Sequence, residues 1–465
     1  MYSNSSDFSN FRVGGGAHAT VLSPMVLILA LLAIGLIFAL PRRKLAIPLL
    51  FVCVLAPFGQ QIYVGGVHLF ITRILTLAGW IRIAPMMRSY AGGALANGFG
   101  VMDKLFVGWA LCRASATCLE FLQVQAVVNQ CGFLIDTLAT YLLLRVLIRD
   151  EEDIALVVRT LSVLVCILAV SMAIESHYRF NMFGYLGGRL IPELREGRIR
   201  AQGPFLGPIP AGTFGATLIC MFIWLWRSGK AKTIGMAAIV GALTMVFASS
   251  SSTPLLATAA AIVGISMWPL RRQMRAVRWS IVLFLAALQM AMKVPVWWAI
   301  NHIDLVGGNS AYHRAMIVDQ FIRHFSDWWL IGVKSTADWG WDMWDGANQF
   351  VAEGESGGLA TFVFFVLLVS RTFGAVGTAR RNMADDPQRE RFFWLTGATL
   401  FSFVVSFFGI SFSDQSMIGW LCFLAIAAVA TVSYGTVRTV RPSETVELPE
   451  QPFVAQEEEC SWFPG

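Results

Sequence analysis

The sequence predicts an all-α polytopic membrane protein with about thirteen (12–14) transmembrane helices and a large, partly helical outer loop. Of its 465 residues, 56% are hydrophobic and only 14% are charged, whereas soluble domains carry about 25% charged residues. The formal net charge is +6. The basic residues collect in short loops between apolar segments and form no stripe interleaved with aromatics, so the composition argues against nucleic-acid binding.

Thirteen segments are apolar enough to be membrane spans, each of which needs about 20 residues to cross a bilayer. Segment 45–58 is short for a span, and segment 104–121 carries a charged residue, Arg113. The predicted spans in chain order are 21–40, 45–58, 64–84, 104–121, 125–148, 154–174, 205–226, 233–249, 253–270, 279–299, 357–377, 393–413 and 416–435.

The loops between these spans carry seven clusters of arginine and lysine. With thirteen spans, every cluster falls on the same side of the membrane. Cytoplasmic loops carry an excess of basic residues, so this side is predicted to be cytoplasmic, with the N-terminus outside and the C-terminus inside. The clusters are Arg42/Arg43/Lys44, Arg82/Arg88/Lys104, Arg145/Arg149, Arg227/Lys230/Lys232, Arg271/Arg272/Arg275/Arg278, Arg380/Arg381/Arg389/Arg391 and Arg438/Arg441.

Composition divides the chain into four regions. Residues 1–20 are polar, rich in Gly and Ser, and predicted to be flexible, without the features of a cleaved signal peptide. Residues 21–174 form N-terminal membrane helices, and residues 175–435 form a second membrane region that includes the hydrophilic segment 301–355. Residues 436–465 form a tail rich in Pro and Glu that is predicted to be disordered and cytoplasmic. Eight cysteines, none in a CxxC pair, indicate neither a disulfide framework nor a zinc site.

Two segments, 175–204 and 301–355, are predicted to face outward. The first contains three arginines within six positions, Arg195, Arg198 and Arg200, ahead of a span entrance rich in Pro and Gly. Arginine binds phosphate through a planar set of donors, and a broken helix at such an entrance exposes backbone donors to a cavity. These arginines are therefore candidates for binding a pyrophosphate, with contact to anionic lipid headgroups as the alternative.

Segment 301–355 holds three of the six histidines, eight carboxylates and five tryptophans. Its stretch 312–325 lacks Gly and Pro and predicts a helix, which at about 3.6 residues per turn places His313 and His324 on nearly the same face. Histidine is the usual general base near neutral pH. His313, next to Arg314, is therefore a candidate base, and a structural polar group is the alternative for either histidine.

The tryptophans of the same segment suit two roles. Trp328 accompanies aliphatic residues in a pattern typical of a helix at the membrane interface. Trp339, Trp341 and Trp344 are candidates for stacking on sugar rings, because a pyranose presents an apolar C–H face to an aromatic ring. The alternative is an interfacial aromatic belt.

Acidic residues cluster just before the span that follows this segment. Asp342 and Asp345, with Asn348, are only a weak signal for a divalent cation, so no metal is predicted. Asp345 and Glu353 are also alternatives to histidine as a general base.

Charged and polar residues inside or next to spans are the remaining candidates. Arg73 and Arg113 are candidate functional residues, because an ionisable group within a span costs free energy and usually has a function there. Arg73 is a candidate for pairing with Glu120. The serine run 249–252 is predicted to cap a helix or line a cavity, and no base stands beside it in sequence.

Several short motifs occur in a fixed order relative to the predicted spans. They are Arg198–Ile–Arg200–Ala–Gln–Gly203–Pro204 with Pro208 and Gly212, the serine run before Pro254, His313–Arg314, His324 through Trp328 and Trp329 to Gly332, Asn348–Gln–Phe, Glu353, and Gly357–Gly358–Leu359. In this order they resemble the O-antigen ligase/polysaccharide polymerase superfamily of bacterial envelope proteins, over roughly residues 170–415. The first five spans match that superfamily only in hydropathy.

The resemblance implies a GT-C-like fold, an undecaprenyl-pyrophosphate-linked glycan as donor, an acceptor glycan, and no metal, nucleotide sugar or other cofactor. Family members often carry a His-Asn pair before the span that follows the outer loop, and here that position reads Gly346–Ala347–Asn348. The chain is therefore more similar to the exopolysaccharide-type polymerases, with their Asn-Gln-aromatic motif. Any histidine base must then be His313 or His324, and otherwise Asp345 or Glu353 is the base.

The expected function is polymerisation or ligation of undecaprenyl-pyrophosphate-linked glycan units at the outer face of the bacterial inner membrane, in exopolysaccharide or O-antigen biosynthesis. The expected partners are the two glycans, membrane lipids, and export and chain-length-control proteins. Alternatives are a transporter or flippase of lipid-linked glycans and a non-catalytic scaffold in envelope assembly. The predicted catalytic residues are His313, Arg314, Glu353 and Asp345, and the predicted substrate-binding residues are Arg195, Arg198, Arg200, His324, Trp328, Trp339, Trp341 and Asn348.

Overall fold

The structure is a computed structural model that describes residues 19–89, 95, 98–195, 197–302, 310–343 and 346–435. Over these residues the chain is nearly all α-helical, which confirms the predicted all-α class. Two short antiparallel hairpins make up the sheet in this part of the chain. The tail 436–465 and residues 1–18 of the N-terminal segment lie outside the described residues, so the predictions of disorder there are not tested.

Sixteen α-helices lie in the described ranges, and each predicted span overlaps at least one of them. Six helical stretches are long and apolar enough to cross a membrane, namely Val124–Leu147, Glu151–Tyr178, Pro208–Arg227, Met274–Ala291, Gln349–Asn382 and Gln415–Ser433. Thirteen crossings therefore stay a prediction. The helices are α1 (Pro24–Ala39), α2 (Ala46–Leu55), α3 (Ile71–Ile83), α4 (Val101–Phe121), α5 (Val124–Leu134), α6 (Thr140–Leu147), α7 (Glu151–Tyr178), α8 (Pro208–Arg227), α9 (Lys232–Ala248), α10 (Ser252–Ser266), α11 (Met274–Ala291), α12 (Ser310–Arg323), α13 (Phe325–Trp328), α14 (Gln349–Asn382), α15 (Pro387–Phe407) and α16 (Asp414–Gly435).

The region between the second and third predicted spans departs from the prediction. Helix α2 has only 10 residues and α3 only 13. Between them, strands Gln61–Val64 (β1) and Val67–Phe70 (β2) form an antiparallel hairpin. The prediction of a helical span beginning at residue 64 was therefore wrong. Gly65 and Gly66 both have positive φ, and a two-residue hairpin turn of this kind favours glycine because side chains resist that conformation.

Basic loops of different parts of the chain meet at one end of the bundle. Helix α7 begins with three carboxylates, which its dipole stabilises near the N-terminus. Asp153 accepts a hydrogen bond from Arg42 Nη1 at 2.9 Å, and Glu151 pairs with Lys230 Nζ at 2.8 Å. The two loops that carry Arg42 and Lys230 are thus at the same level of the molecule.

A fully buried ion pair joins α4 and α6 near that end. Arg145 Nε and Nη2 donate to the two oxygens of Asp103 at 2.8 and 3.0 Å, and Tyr141 Oη donates to the same carboxylate at 2.6 Å. Both charged side chains are 0% exposed. Arg145 belongs to one of the predicted basic clusters, and it lies in the last turn of α6, within the predicted span 125–148. The bidentate geometry offsets much of the cost of desolvating both charges.

The long loop that is predicted to face outward is partly helical in its described part, as predicted, and it packs on a kink in α14. The helix breaks at Gly358, where φ is 70° and ψ is −171°. The break frees Glu355 O, which accepts a hydrogen bond from Val333 N at 2.8 Å. A Cβ at Gly358 would lie 2.6 Å from Leu330 O. The kink and the close approach of the loop both therefore require glycine here.

Candidate functional site

The turn between α9 and α10 is where the two predicted outward segments meet. Strand Arg198–Arg200 (β4), which pairs with Glu193–Arg195 (β3), runs into this turn. Just past the strand, Ala201 N donates to Ala248 O at 3.0 Å. Gly212 of α8 packs against the turn so closely that a Cβ would overlap the Ser249 side chain. The serine run 249–252 thus lies between the first outward segment and the helical bundle.

Arg200 reaches this turn from the first outward segment. Its Nη2 donates to Ser251 Oγ at 2.7 Å, and its Nη1 donates to Glu193 Oε1 at 2.5 Å across the hairpin. The residue is 6% exposed, and its Nε is buried without a hydrogen-bond partner in the described part of the chain. A guanidinium with an unused donor in a polar site is suited to an anionic ligand.

Arg314 reaches the same turn from the second outward segment. Its Nη1 donates to Ser252 Oγ at 3.1 Å and its Nη2 donates to Thr253 Oγ1 at 2.9 Å. The residue is 7% exposed. Two arginines from separate segments therefore converge on three consecutive hydroxyl side chains. We call Arg200, Ser251, Ser252, Thr253 and Arg314 the serine–arginine cluster.

Helix α12 holds Arg314 in place through its own packing. Ala311 and Ala315, on either side of Arg314, are 2% and 0% exposed. At the far end, Asp319 accepts hydrogen bonds from Trp297 Nε1 at 3.1 Å and Arg323 Nε at 2.7 Å. Burial alone would raise the pKa of Asp319, but these hydrogen bonds and the Arg323 charge outweigh it, so the pKa lies below its ordinary value.

The two candidate histidines occupy different environments. His313 is half-buried on α12, and its Nε2 is buried without a partner among the described residues. His324 follows the end of α12, outside helical geometry, with its ring stacked on Trp339 at 5.0 Å between centroids. Its Nδ1 lies 3.0 Å from Gln320 O. His324 N still donates to Gln320 O at 2.9 Å, as in a helical turn. The two histidines thus differ in their contacts, with His324 stacked on a tryptophan and His313 carrying a buried Nε2 without a partner among the described residues.

Glu353 lies at the centre of a second buried cluster, between α4 and α14. Its carboxylate is 0% exposed and accepts hydrogen bonds from Trp109 Nε1 at 2.7 Å and Gln349 Nε2 at 2.5 Å. Arg113 Nη1 lies 3.4 Å from it. Burial and three partners make this carboxylate an anchor between two helices. An acceptor sugar would have no access to it in this arrangement.

The segment between α15 and α16 connects the two clusters. Gly409 O accepts a hydrogen bond from Thr253 Oγ1 at 3.2 Å. Three residues later, Phe412 N donates to Gln349 Oε1 at 2.5 Å. The serine–arginine cluster and the Glu353 cluster are therefore two ends of one continuous hydrogen-bonded region.

The tryptophans of the outer loop are divided between core and surface. Trp328 is 3% exposed, stacks on Phe321 at 4.0 Å and donates from Nε1 to Phe321 O. Trp339 is 7% exposed and stacks on His324, whereas Trp341 is 84% exposed. Trp328 and Trp339 thus build the small core of the loop, and of these three rings Trp341 has a face free for a sugar.

Other predicted binding residues lie away from the cluster or have structural partners. Arg195 and Arg198 face each other across the β3–β4 hairpin and are exposed. Asn348 caps α14, with its Oδ1 accepting from Phe350 N at 3.0 Å. Asp345 lies outside the described residues. In the described ranges, no group of three or more His, Cys, Asp or Glu side chains is arranged to hold a metal ion.

Of the charges within the predicted spans, Arg73 has a different partner from the one suggested. It pairs with Asp136, from Nη2 to Oδ2 at 2.8 Å, so the suggested pairing with Glu120 was wrong. Arg113, the other arginine, is the partner of Glu353. Asp136 lies within an apolar span and was missed. An ionisable residue at such a position is itself a signal.

Glu175, the first residue after the predicted span 154–174, was also missed; the structure places it within α7. It is 0% exposed, and it accepts hydrogen bonds from the backbone N–H groups of Gln202 and Gly203 at 3.1 and 2.8 Å. The backbone donors expected at this span entrance are thus occupied by a side chain of α7. Glu175 fixes the chain where it leaves the hairpin, and so helps to position Arg200.

A search of known protein families matches none to this chain, and no curated protein is significantly similar to it. The fold and composition are those of a helical membrane protein, and the resemblance described above stays a prediction.

Proposed function

We propose that the chain is a membrane glycosyltransferase that polymerises or ligates undecaprenyl-pyrophosphate-linked glycan units at the outer face of the bacterial inner membrane. An acceptor hydroxyl attacks the anomeric carbon of the lipid-linked glycan. The bond from that carbon to the pyrophosphate breaks, and the acceptor proton passes to a base. Positive charge at the departing pyrophosphate stabilises the transition state, because negative charge develops there.

The observation that carries this proposal is the serine–arginine cluster. Arg200 and Arg314 come from different segments, are nearly buried, and bind neighbouring hydroxyl side chains. Arginine pairs of this kind bind phosphoryl oxygens through charge-assisted hydrogen bonds. In the proposed reaction these two guanidinium groups hold the pyrophosphate. Arg195 and Arg198, exposed on the hairpin, contact the lipid headgroup region.

His313 is the proposed base, since its Nε2 is buried and unpartnered in the described part of the chain and it is adjacent to Arg314. Glu353 is a positioning residue that anchors α14 against α4. Trp341, the exposed tryptophan, is the proposed contact for the glycan. We further propose thirteen spans in a GT-C-like arrangement with the basic loops cytoplasmic, which the contacts of Arg42 and Lys230 at one end of the bundle support.

Extension of a lipid-linked repeat by the purified protein in detergent is the decisive test. We expect Arg200→Ala and Arg314→Ala to lower the rate by about a hundredfold or more, because each removes charge stabilisation from the transition state. Arg189, exposed on the same outer side, provides the control, and Arg189→Ala should retain the wild-type rate.

The same assay separates the rival functions. Extension without any ion gradient excludes pure transport of lipid-linked glycans. A scaffold would extend nothing, and its role in cells would be insensitive to Arg200→Ala. Full polymer synthesis by both arginine variants would overturn the proposed pyrophosphate site.

A further inference from the structure

A separate polar cavity of about 290 Å³ opens on the side of the 409–415 segment away from the serine turn. It lies between the β1–β2 hairpin, the start of α3, the middle of α4 and α5, and the start of α16. Its polar lining includes Gln60, Arg73, Arg113, Asn129, Asp136 and Ser413. Its volume is at the small end of the range for small-molecule sites, which begins at about 300 Å³. The two intramembrane arginines that stand out in the sequence thus line one cavity.

The short helices α2 and α3 create this cavity. Helix α2 ends at Leu55 and α3 begins only at Ile71, and the hairpin between them occupies the level at which longer helices would pack. Hairpin backbone within a membrane bundle is tolerated where it is buried in protein or lines a polar cavity. The departure from the predicted span at 64–84 therefore has a consequence: it opens a polar space inside the outer half of the bundle.

Both arginines of the cavity are paired with carboxylates. Arg73 Nε and Nη2 donate to Asp136 Oδ2 at 2.9 and 2.8 Å, and Arg113 contacts Glu353 at 3.4 Å. In the serine–arginine cluster, two guanidinium groups converge on one turn of hydroxyl side chains, and Arg200 also pairs with Glu193. In the cavity the two arginines lie apart, and each contacts a carboxylate of its own. A charge-balanced lining of mixed donors and acceptors suits a neutral polar ligand better than an anion.

Asp136 supplies an acceptor that the protein does not use. Its Oδ1 is buried and has no hydrogen-bond partner in the described ranges. A buried acceptor left unpaired costs about 1–3 kcal/mol, and a charged one costs more. Asp136 also stands in the π-helical turn Ile135–Ala139, a rare backbone conformation that is frequent at functional sites.

The surroundings fix the Arg73–Asp136 pair and add aromatic surface. Gly132 packs against the Arg73 guanidinium, where a Cβ would overlap its carbon and nitrogen atoms, so a larger residue would displace the guanidinium from this position. The guanidinium groups of Arg73 and Arg113 each lie 4.9 Å from an aromatic ring centroid, of Phe70 and Phe133 respectively. Both rings line the cavity. Aromatic faces beside charged hydrogen-bonding groups suit a pyranose, which presents C–H bonds on its face and hydroxyls on its rim.

We propose that this cavity binds a neutral, polyhydroxylated ligand, a short stretch of glycan, with one sugar hydroxyl donating to Asp136 Oδ1. The assignment rests on the proposed function, in which the bound glycan is the acceptor chain. The cavity and the serine–arginine cluster then bind different parts of the two substrates, according to the charge of each part. The charge-balanced cavity takes the sugar, and the arginine pair takes the pyrophosphate.

The test measures glycan binding directly, by calorimetry with the full-length protein in detergent. The probe is the single-repeat oligosaccharide released by partial acid hydrolysis from the surface polysaccharide of the cell that makes this protein. Asp136→Asn removes the charged acceptor and should weaken binding about tenfold or more. Ser413→Trp fills the cavity mouth without touching the Arg73–Asp136 pair and should abolish binding.

Matched controls lie on the exposed outer loop. Ser326→Trp and Asp327→Asn make the same chemical changes at exposed positions and should leave the affinity unchanged. Ser413→Trp also covers the case in which Asp136→Asn fails to fold, because it leaves the ion pair intact. Unchanged affinity in Ser413→Trp would overturn the assignment, and so would the absence of binding to the wild-type protein.

These outcomes are independent of the proposed function. If the wild-type protein polymerises the lipid-linked repeat in an Arg200-dependent manner but does not bind the oligosaccharide, the cavity assignment fails and the proposed function stands. If the oligosaccharide binds and Ser413→Trp abolishes binding, while no polymerisation occurs under any condition, the cavity assignment is supported and the proposed function fails.

Discussion

The two ends of the helical bundle hold buried arginines of different character. At the end with the basic loops, Arg145 makes a bidentate pair with Asp103, and both are 0% exposed. At the other end, Arg314 donates to the hydroxyls of Ser252 and Thr253. A carboxylate neutralises a guanidinium, whereas a hydroxyl only hydrogen-bonds to it. The first arrangement joins two opposite charges within the bundle, and the second joins a charge to hydroxyl side chains of a turn.

The variant with the largest expected effect removes the charge of Arg145 and lowers the stability of the fold. Arg145→Gln leaves the Asp103 carboxylate buried without its countercharge, and we expect a loss of about 3–5 kcal/mol in unfolding free energy. Thermal unfolding of the purified protein in detergent measures this loss. Asp103→Asn should destabilise to a similar extent. A melting temperature unchanged in both variants would mean that the pair contributes little to the fold.

The corresponding change at the other end should have a smaller effect on stability and a large one on activity. Arg314→Gln removes the guanidinium that donates to Ser252 and Thr253, whose hydroxyls are uncharged, so we expect a loss of about 1–2 kcal/mol. The rate of glycan extension should fall about a hundredfold. If Arg314→Gln instead destabilises as much as Arg145→Gln while the rate per folded molecule stays constant, Arg314 is a structural residue and the contrast between the two ends disappears.

The smallest expected effect is a change in how the stability of the protein depends on pH, and it arises from Asp319 on α12, the helix that carries Arg314. The pKa of Asp319 is lowered in the folded protein, so the folded state binds this proton less tightly than the unfolded state. The stability that Asp319 contributes is therefore present above the unfolded pKa, about 3.9, and is lost as the pH falls through the lower folded value.

Because Asn does not titrate, Asp319→Asn should accordingly make the unfolding free energy fall less steeply as the pH is lowered into the acid range. The expected size is about 0.5 kcal/mol, because Arg323 is largely exposed and solvent screens its charge. Melting temperatures measured from neutral pH down to the acid limb check this prediction. The loss relative to the wild-type protein should be present at neutral pH and vanish at low pH, where Asp319 is protonated in both states. An equal loss at low pH would point to packing instead of titration.

Local sequence properties account for the fold class and for much of the candidate site. Apolar composition and the length of each segment placed a helix at every predicted span, because a lipid-embedded chain must satisfy its backbone within each segment. Arg200 and Arg314 were also identifiable as candidates, because basic residues are disfavoured in segments predicted to face outward. The exposed position of Trp341 agrees with its proposed role, whereas Trp328 and Trp339 look the same in sequence and are buried.

Residues with partners far along the chain could not be assigned in this way. Strand alternation places Arg198 and Arg200 on one face, yet Arg198 is exposed and Arg200 is buried. Only the depth to which the hairpin enters the bundle separates them. In the sequence Glu353 is a candidate base, and nothing near it indicates that it is buried. Its hydrogen-bond partner Trp109 is 244 positions away, so local patterns do not reveal the contact.

The sequence by itself determined that this is a helical membrane protein, the approximate position of most of its helices, and which two segments carry the polar residues. Those properties depend on composition and on periodicity over at most a few turns. The tertiary structure decided which partners the buried charges have. Arg73 with Asp136, Arg145 with Asp103, and the convergence of Arg200 and Arg314 on one turn all depend on contacts between distant segments, which local patterns do not encode.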